Sequence, residues 1–194
     1  MIGVDEVGRG CLAGPLLVVA ARQIGKLTGG LADSKMLTRQ QRESMLKLLT
    51  SNVQFGEGWL RPVEIDRLGL TRAMKLGVKR ALKQINARYS EEIIMDGPFN
   101  YFSKRYKNVW CLIDADATVP LVSAASIYAK VRMDNYMVEL AKRHSKYGFE
   151  SNVGYGTPGH LEALDTHGYL KGVHRRLFSR VRAIDQLELW ELQV

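Results

Sequence analysis

The residues best suited to chemistry stand near the start of the chain, in Asp5-Glu6-Val7-Gly8-Arg9-Gly10-Cys11-Leu12-Ala13-Gly14-Pro15. Two adjacent carboxylates supply hard oxygen ligands of the kind that Mg²⁺ and Mn²⁺ take. The glycines after them let backbone N–H groups approach an anion, because no Cβ stands in the way. Metal ligands beside a phosphate-sized cradle point to phosphodiester chemistry. The same residues also read as a solvated turn, and the glycine spacing half-matches a dinucleotide fingerprint. That fingerprint needs a loop that opens a helix. Here Pro15 and an apolar run over residues 16–21 follow instead, so its context is missing. Adjacent strand residues point to opposite faces. Asp5 and Glu6 can therefore share a metal only where the strand ends or twists, which Gly8 and Gly10 allow.

Two more strand-like runs end in acids. Glu92-Ile93-Ile94-Met95-Asp96-Gly97-Pro98 is a short buried strand closing on an aspartate and a turn, and residues 109–113 run into Asp114 and Asp116. Open α/β sheets gather their ligand sites at the carboxyl ends of strands, so acids at three strand ends point to a carboxylate cluster. The elements around them follow from periodicity. A strand enters through Ile2 and Val4, and residues 16–21 form the next. A helix starts after Thr38, with Gln41 in capping-box spacing. A strand over 53–60 ends before Pro62, which opens a short helix to about Leu68. Thr71 is expected to cap an amphipathic helix reaching about Ala87. Its polar face carries Arg72, Lys75, Lys79, Arg80 and Lys83, which is either solvated or tracks a nucleic-acid backbone. From Pro120 a long helix opens on Val122-Ser123-Ala124-Ala125-Ser126, small residues that permit close packing or offer hydroxyls to a ligand. Thr157-Pro158 caps a further helix that stops at Gly168. The tail, with Arg175, Arg176, Arg180 and Arg182, is basic and helical near its end. The four histidines are scattered, match no zincin pattern and are read as structural or solvated.

At 194 residues the simplest organisation is a single domain over 1–194, with about 170–194 as its helical basic tail. An apolar share of 46% against 25% charged argues against disorder. The net charge of +8 favours a polyanionic partner. No run approaches the ~18 apolar residues of a spanning helix. The first strand begins too early to leave room for a signal peptide. Cys11 and Cys111 lack zinc spacing and read as reduced. A cytoplasmic monomer is the expectation.

With these residues in place, the chain resembles bacterial ribonuclease HII, the type 2 ribonuclease H family. The resemblance rests on Asp5-Glu6-Val7-Gly8-Arg9-Gly10 with Ala13-Gly14-Pro15, Asp33-Ser34-Lys35, Met95-Asp96-Gly97, and Asp116 followed by Val119-Pro120. It continues through Ser123-Ala124-Ala125-Ser126-Ile127 with Ala129-Lys130-Val131, Gly154-Tyr155 with Thr157 and His160, and His167-Gly168. These occur in the family's order over nearly the whole chain. The resemblance implies an α/β, ribonuclease H-like fold: a mixed central β-sheet flanked by helices, with a helical C-terminal part. It implies an endonuclease acting on RNA–DNA hybrids and on ribonucleotides embedded in duplex DNA, cutting 5′ of the ribonucleotide to leave a 3′-hydroxyl and a 5′-phosphate. Asp5, Glu6, Asp96 and Asp116 would hold two ions of Mg²⁺ or Mn²⁺. The Gly8-Arg9-Gly10 loop would sense the 2′-hydroxyl, and Tyr155 would pack on the next sugar. Lys35, Arg9 and Lys130 would touch phosphates. Where the family carries a lysine and a small residue, this chain has Asp114-Ala115, so Asp114 competes with Asp116.

Two other readings fit parts of the sequence. A non-catalytic nucleic-acid-binding module on the same fold accounts for the charge but not for acids at three strand ends. A nucleotide-dependent enzyme would use the glycine-rich loop but lacks the helix after it.

Overall fold

The computed structural model describes residues 1–26 and 37–191, with side chains described to 186. Asp33-Ser34-Lys35 lies outside the described residues. Five strands form one mixed sheet in the order β3-β2-β1-β4-β5. They are β1 (Ile2–Val7), β2 (Leu16–Gln23), β3 (Val53–Leu60), β4 (Ile93–Asp96) and β5 (Val109–Leu112). β1 pairs antiparallel with β2 and parallel with β4, and β4 pairs parallel with β5. The helices are α1 (Arg39–Leu49), α2 (Pro62–Leu68), α3 (Leu70–Gln84), α4 (Ala115–Thr118), α5 (Pro120–Arg143), α6 (Phe149–Asn152), α7 (Pro158–His167) and α8 (Ser179–Glu191). Among the described residues no helix is long and apolar enough to cross a membrane.

The chain divides into two compact units. The first holds residues 1–7, 17–59 and 74–132, and most of the sheet. In β2 the residues from Leu16 to Ala21 are fully buried, as expected of a strand covered on both faces. Each of its buried Leu and Val side chains contributes roughly 1.5–3 kcal/mol relative to exposure. The covering helices are held close by missing side chains. A Cβ on Gly3 of β1 would stand 2.2 Å from the Leu121 backbone carbon of α5, and one on Gly58 of β3 would stand 2.0 Å from the Gly77 carbonyl oxygen of α3. Glu57, on the opposite face of β3 from Gly58, turns to α5. Its carboxylate accepts from the Tyr128 hydroxyl and Arg132 Nε, each at 2.7 Å, and from Trp59 Nε1 at 2.7 Å. Burial pushes this carboxyl upward, but the bonds from Arg132, Trp59 and Tyr128 outweigh it and hold Glu57 below the usual range.

The second unit holds residues 8–16, 60–73 and 133–194. Thr157 caps α7 as expected, its hydroxyl accepting from the His160 N–H. Thr38 and Gln41 likewise form the anticipated capping box on α1. One boundary differs from expectation. Thr71 does not cap α3, which already begins at Leu70 after Gly69, and the Gly69 carbonyl accepts the Ala73 N–H at 3.0 Å. Gly69 (φ 72°) supplies the sharp break between α2 and α3, so no side-chain cap is needed.

The glycine at position 3 provides a direct test. Gly3→Ala forces a methyl into the α5 backbone and should lower stability by at least ~1–3 kcal/mol. Gly159→Ala, in the exposed first turn of α7 with nothing within 4 Å of the added carbon, should be neutral or stabilise by ~0.5–1 kcal/mol. Urea midpoints of the two variants check both signs.

Candidate active site

Parallel pairing assembles the acids. Val4 is registered with Met95, so the next residue on each strand, Asp5 and Asp96, stand side by side where the β1–β4 pairing ends; β1 itself runs two residues further, to Val7. Asp5 lies on the same face of β1 as Gly3. The α5 backbone that packs on Gly3 therefore places Ser126, one turn further on, over Asp5. The Ser126 hydroxyl and the Glu6 N–H (2.7 Å) donate to the Asp5 carboxyl. Burial, reinforced by the charges of Glu6 and Asp96, prevails over these bonds and pushes Asp5 up to about 8. An aspartate of this kind is poorly suited to bear a negative charge unless a cation joins it.

The connection after β5 brings the last acids. Asp114 takes a left-handed conformation (φ 56°) and opens α4. The Ala115 N–H, first of that helix, donates to Asp96 Oδ1 at 2.7 Å and fixes its orientation. Asp116 follows, only 2% exposed, whereas Asp114 is exposed. Lys130, half-buried, stands one helical turn beyond Ser126. Glu6 and Asp96 thus both lie within electrostatic reach of Asp5, and Asp96 is tied to the short helix that carries Asp116. Among the described residues no three carboxylate, imidazole or thiol groups form a ready-made coordination sphere.

The remaining sequence-predicted residues gather in the second unit. The segment 8–15 is stitched to residues 152–155, with the Leu12 N–H donating to the Gly154 carbonyl at 2.8 Å. Val153 and Gly154 both take positive φ, 49° and 85°, a strained arrangement for a β-branched residue. A Cβ on Gly154 would meet the Ala13 carbonyl oxygen at 2.3 Å, so only glycine closes this turn. Asn152 supports it by accepting the Gly154 N–H and donating to the Tyr147 carbonyl. The turn delivers Tyr155, 44% exposed, alongside Gly10. Burial and the neighbouring Cys11 push its hydroxyl up to about 12.

Sequence reasoning missed what holds this loop. Arg175, counted there as part of a basic tail, is fully buried. Its Nε donates to the Gly14 carbonyl at 2.8 Å, Nη1 to Gly8 at 2.7 Å and Arg9 at 3.3 Å, and Nη2 to Pro15 at 2.7 Å. Burial lowers the guanidinium to about 10, which still leaves it charged at neutral pH. Nothing local in the sequence distinguishes it from the exposed Arg176. A second missed feature is a histidine relay. His174 Nδ1 accepts the Leu170 N–H at 2.8 Å, so its proton sits on Nε2 and is donated to His160 Nε2 at 3.1 Å. The remaining proton of His160, on Nδ1, goes to the Tyr155 carbonyl at 2.8 Å.

A mixed five-stranded sheet in the order β3-β2-β1-β4-β5, backed by a long helix, is an α/β fold of the ribonuclease H-like class. The family model for ribonuclease HII matches residues 2–181. The ribonuclease HII of Campylobacter concisus is 42% identical over 91% of this chain and 91% of its own. The crystal structure of ribonuclease H2 from Pyrococcus horikoshii is 26% identical, covers 96% of this chain and 97% of its own, and superposes with a TM-score of 0.73. Bst ribonuclease HIII, solved in complex with Mn²⁺, is 20% identical over 96% of this chain and 69% of its own, with a TM-score of 0.69. The chain belongs to the ribonuclease HII family: it is a ribonuclease H, an endonuclease that hydrolyses RNA in RNA–DNA hybrids.

Two measurements follow. Arg175→Lys keeps the charge but loses the planar fork over four carbonyls, and should cost about 2–4 kcal/mol in urea unfolding. The histidines set a pH dependence. Burial, with the neighbouring His160, lowers His174 from 6.5 to about 3. The unfolded chain then binds the extra proton first, so stability is fully present above pH 6.5 and is lost as pH falls toward 3. The thermal midpoint should decline through that window, and His174→Gln should flatten the decline.

Proposed function

We infer that this chain cuts the phosphodiester on the 5′ side of a ribonucleotide, in hybrids and at single ribonucleotides embedded in duplex DNA, leaving a 3′-hydroxyl and a 5′-phosphate. The observation that carries this reading is the convergence of Asp5, Glu6 and Asp96 at the ends of neighbouring strands, with buried Asp116 on the helix tied to Asp96. Asp5, Glu6, Asp96 and Asp116 would hold Mg²⁺ or Mn²⁺. The donor set fits, being all hard oxygen and including a desolvated carboxyl that needs a cation to carry charge. A pair of such ions supplies an activated water and stabilises the leaving oxygen. The burial of Asp116 and the exposure of Asp114 favour Asp116 as the fourth ligand.

The chain's own residues would do the selecting. The 2′-hydroxyl alone separates the two sugars, and Gly8-Arg9-Gly10, held rigid by Arg175, would present backbone groups to it. Tyr155, exposed beside Gly10, would pack on the sugar that follows. Arg9, Lys130 and Lys35 would contact phosphates, positioning the strand without reading its sequence.

The test is a labelled DNA duplex with one internal ribonucleotide, incubated with the protein and Mg²⁺ or Mn²⁺. A single cut 5′ of the ribonucleotide is expected, lost with a chelator. Asp5→Asn and Asp116→Asn should lower the rate by about 10³-fold or more, while Asp114→Asn should stay within about twofold. A duplex that is bound but left intact under either ion would return the chain to the binding-module reading.

A further inference from the structure

The basic face of α3 serves none of the chemistry above, yet it borders a distinct feature of the first unit. Between α3 and residues 101–106 runs an open groove of about 700 Å³. One wall carries Lys75, Lys79 and Lys83, all exposed and one helical turn apart, so their ammonium groups recur about every 6 Å along the helix. Arg105 faces them from the opposite wall, and no carboxylate lines the groove among the described residues. Glu91, which acts electrostatically on Tyr106, is paired with Arg22 at 2.7 Å. Aromatic rings line the groove with the cations. Tyr89 packs edge-on to Tyr106 with centroids 4.8 Å apart, Phe102 adjoins Tyr106 at 6.3 Å, and the Arg105 guanidinium sits 4.1 Å over the Tyr89 ring.

We propose that this groove is a second nucleic-acid site, one that holds an unpaired strand. A row of cations with no balancing acid fits a chain of phosphates, at a spacing near that of successive phosphates in an extended strand. Exposed Tyr89 with the exposed Arg105 guanidinium stacked on it offers flat surfaces to bases whose faces are free, which a paired duplex does not offer. An acidic polypeptide would use the lysines but gain little from the rings. None of the four site acids lines the groove, but its second wall belongs to the connection that leaves Asp96, so the two sites share one stretch of chain. A single-stranded flank of a substrate, or a displaced strand, is the ligand this surface fits.

The experiment measures anisotropy of a fluorescein-labelled oligothymidylate of about ten nucleotides, which has no ribonucleotide to be cut, across a salt series. The triple variant Lys75→Gln/Lys79→Gln/Lys83→Gln should bind at least tenfold more weakly, with the slope of log K against log salt reduced by about 2. Tyr89→Ala should bind about fivefold or more weakly with the slope unchanged. Both should cleave a blunt ribonucleotide-containing duplex at the wild-type rate, which also reports that they fold. Unchanged oligonucleotide affinity in the two variants overturns the proposal, as does a parallel loss of blunt-duplex cleavage. Loss with the lysines but not with Tyr89→Ala, together with equal displacement by polyglutamate, overturns it in favour of an acidic polypeptide. Failure of the wild type to cut the blunt duplex would count against the function proposed above and leave this binding result standing.

Discussion

The contact on which the acidic site depends is the approach of α5 to β1. A strand and a helix normally keep the distance their side chains impose. Here Gly3 removes one side of that spacing, and Ala124, Ala125 and Ala129 keep the helix side small and buried. Because strand residues alternate and helix residues return after a turn, the same contact that seats Leu121 and Val122 on Gly3 must seat Ser126 on Asp5. The helix therefore does two jobs with one register. It seals the sheet, which desolvates Asp5, and it supplies the hydroxyl that limits the cost of doing so. A larger residue at position 3 would move both together.

The second unit solves a different problem, that of keeping a glycine-rich loop in one shape. Gly8, Gly10 and Gly14 would leave such a loop with many conformations, and the entropy of fixing it is of order 1–2 kcal/mol per residue. Arg175 offsets this by giving four carbonyls a single buried cation to face, with geometry that a planar fork fixes and a flexible ammonium would not. The burial of that charge without a bonded carboxylate is tolerated because the carbonyl dipoles take the place of water. The histidine relay and the strained Val153–Gly154 turn hold the adjoining segment in the same manner. Among the described residues, two of the three non-glycine residues with positive φ, Asp114 and Val153, stand two positions before Asp116 and Tyr155. Strain stored there has been matched by hydrogen bonds from Ala115, Asn152 and their neighbours.

The parts of this structure legible in the sequence were those written in local pattern. Alternation and apolar runs located the strands, capping chemistry located α1 and α7, and the acids at strand ends were visible because strand and acid adjoin in the chain. Helix α4 was not visible, since four residues show no period and Asp114 opens it from a left-handed conformation. The start of α3 was misplaced because Gly69 breaks the chain where Thr71 offers a conventional cap. Arg175 was unreadable for a deeper reason: its partners lie some 160 residues earlier, and burial of a cation is decided by the packing around it. The histidines carried no metal spacing, and spacing cannot reveal a relay between helix α7 and the turn that holds His174. The Ser-Ala opening of α5 was read as either packing or hydroxyls for a ligand; the structure shows the close packing, with the Ser126 hydroxyl donating to Asp5.

A cluster of carboxylates in a chain of net charge +8 is an electrostatic contrast with a purpose. The long-range field draws in a polyanion, while the acids at the strand ends would repel a phosphate brought to them. The conflict is resolved only if cations lie between acid and phosphate. The elevated state of Asp5 expresses the same fact from inside the protein: without a cation the cheapest way to keep that carboxyl buried is to protonate it. Attraction at a distance comes from the excess of lysines and arginines over the chain as a whole, and repulsion is confined to one desolvated spot. A nuclease that had to release its cut strand would gain from that separation, because the groups that gather nucleic acid are not the groups that act on the bond.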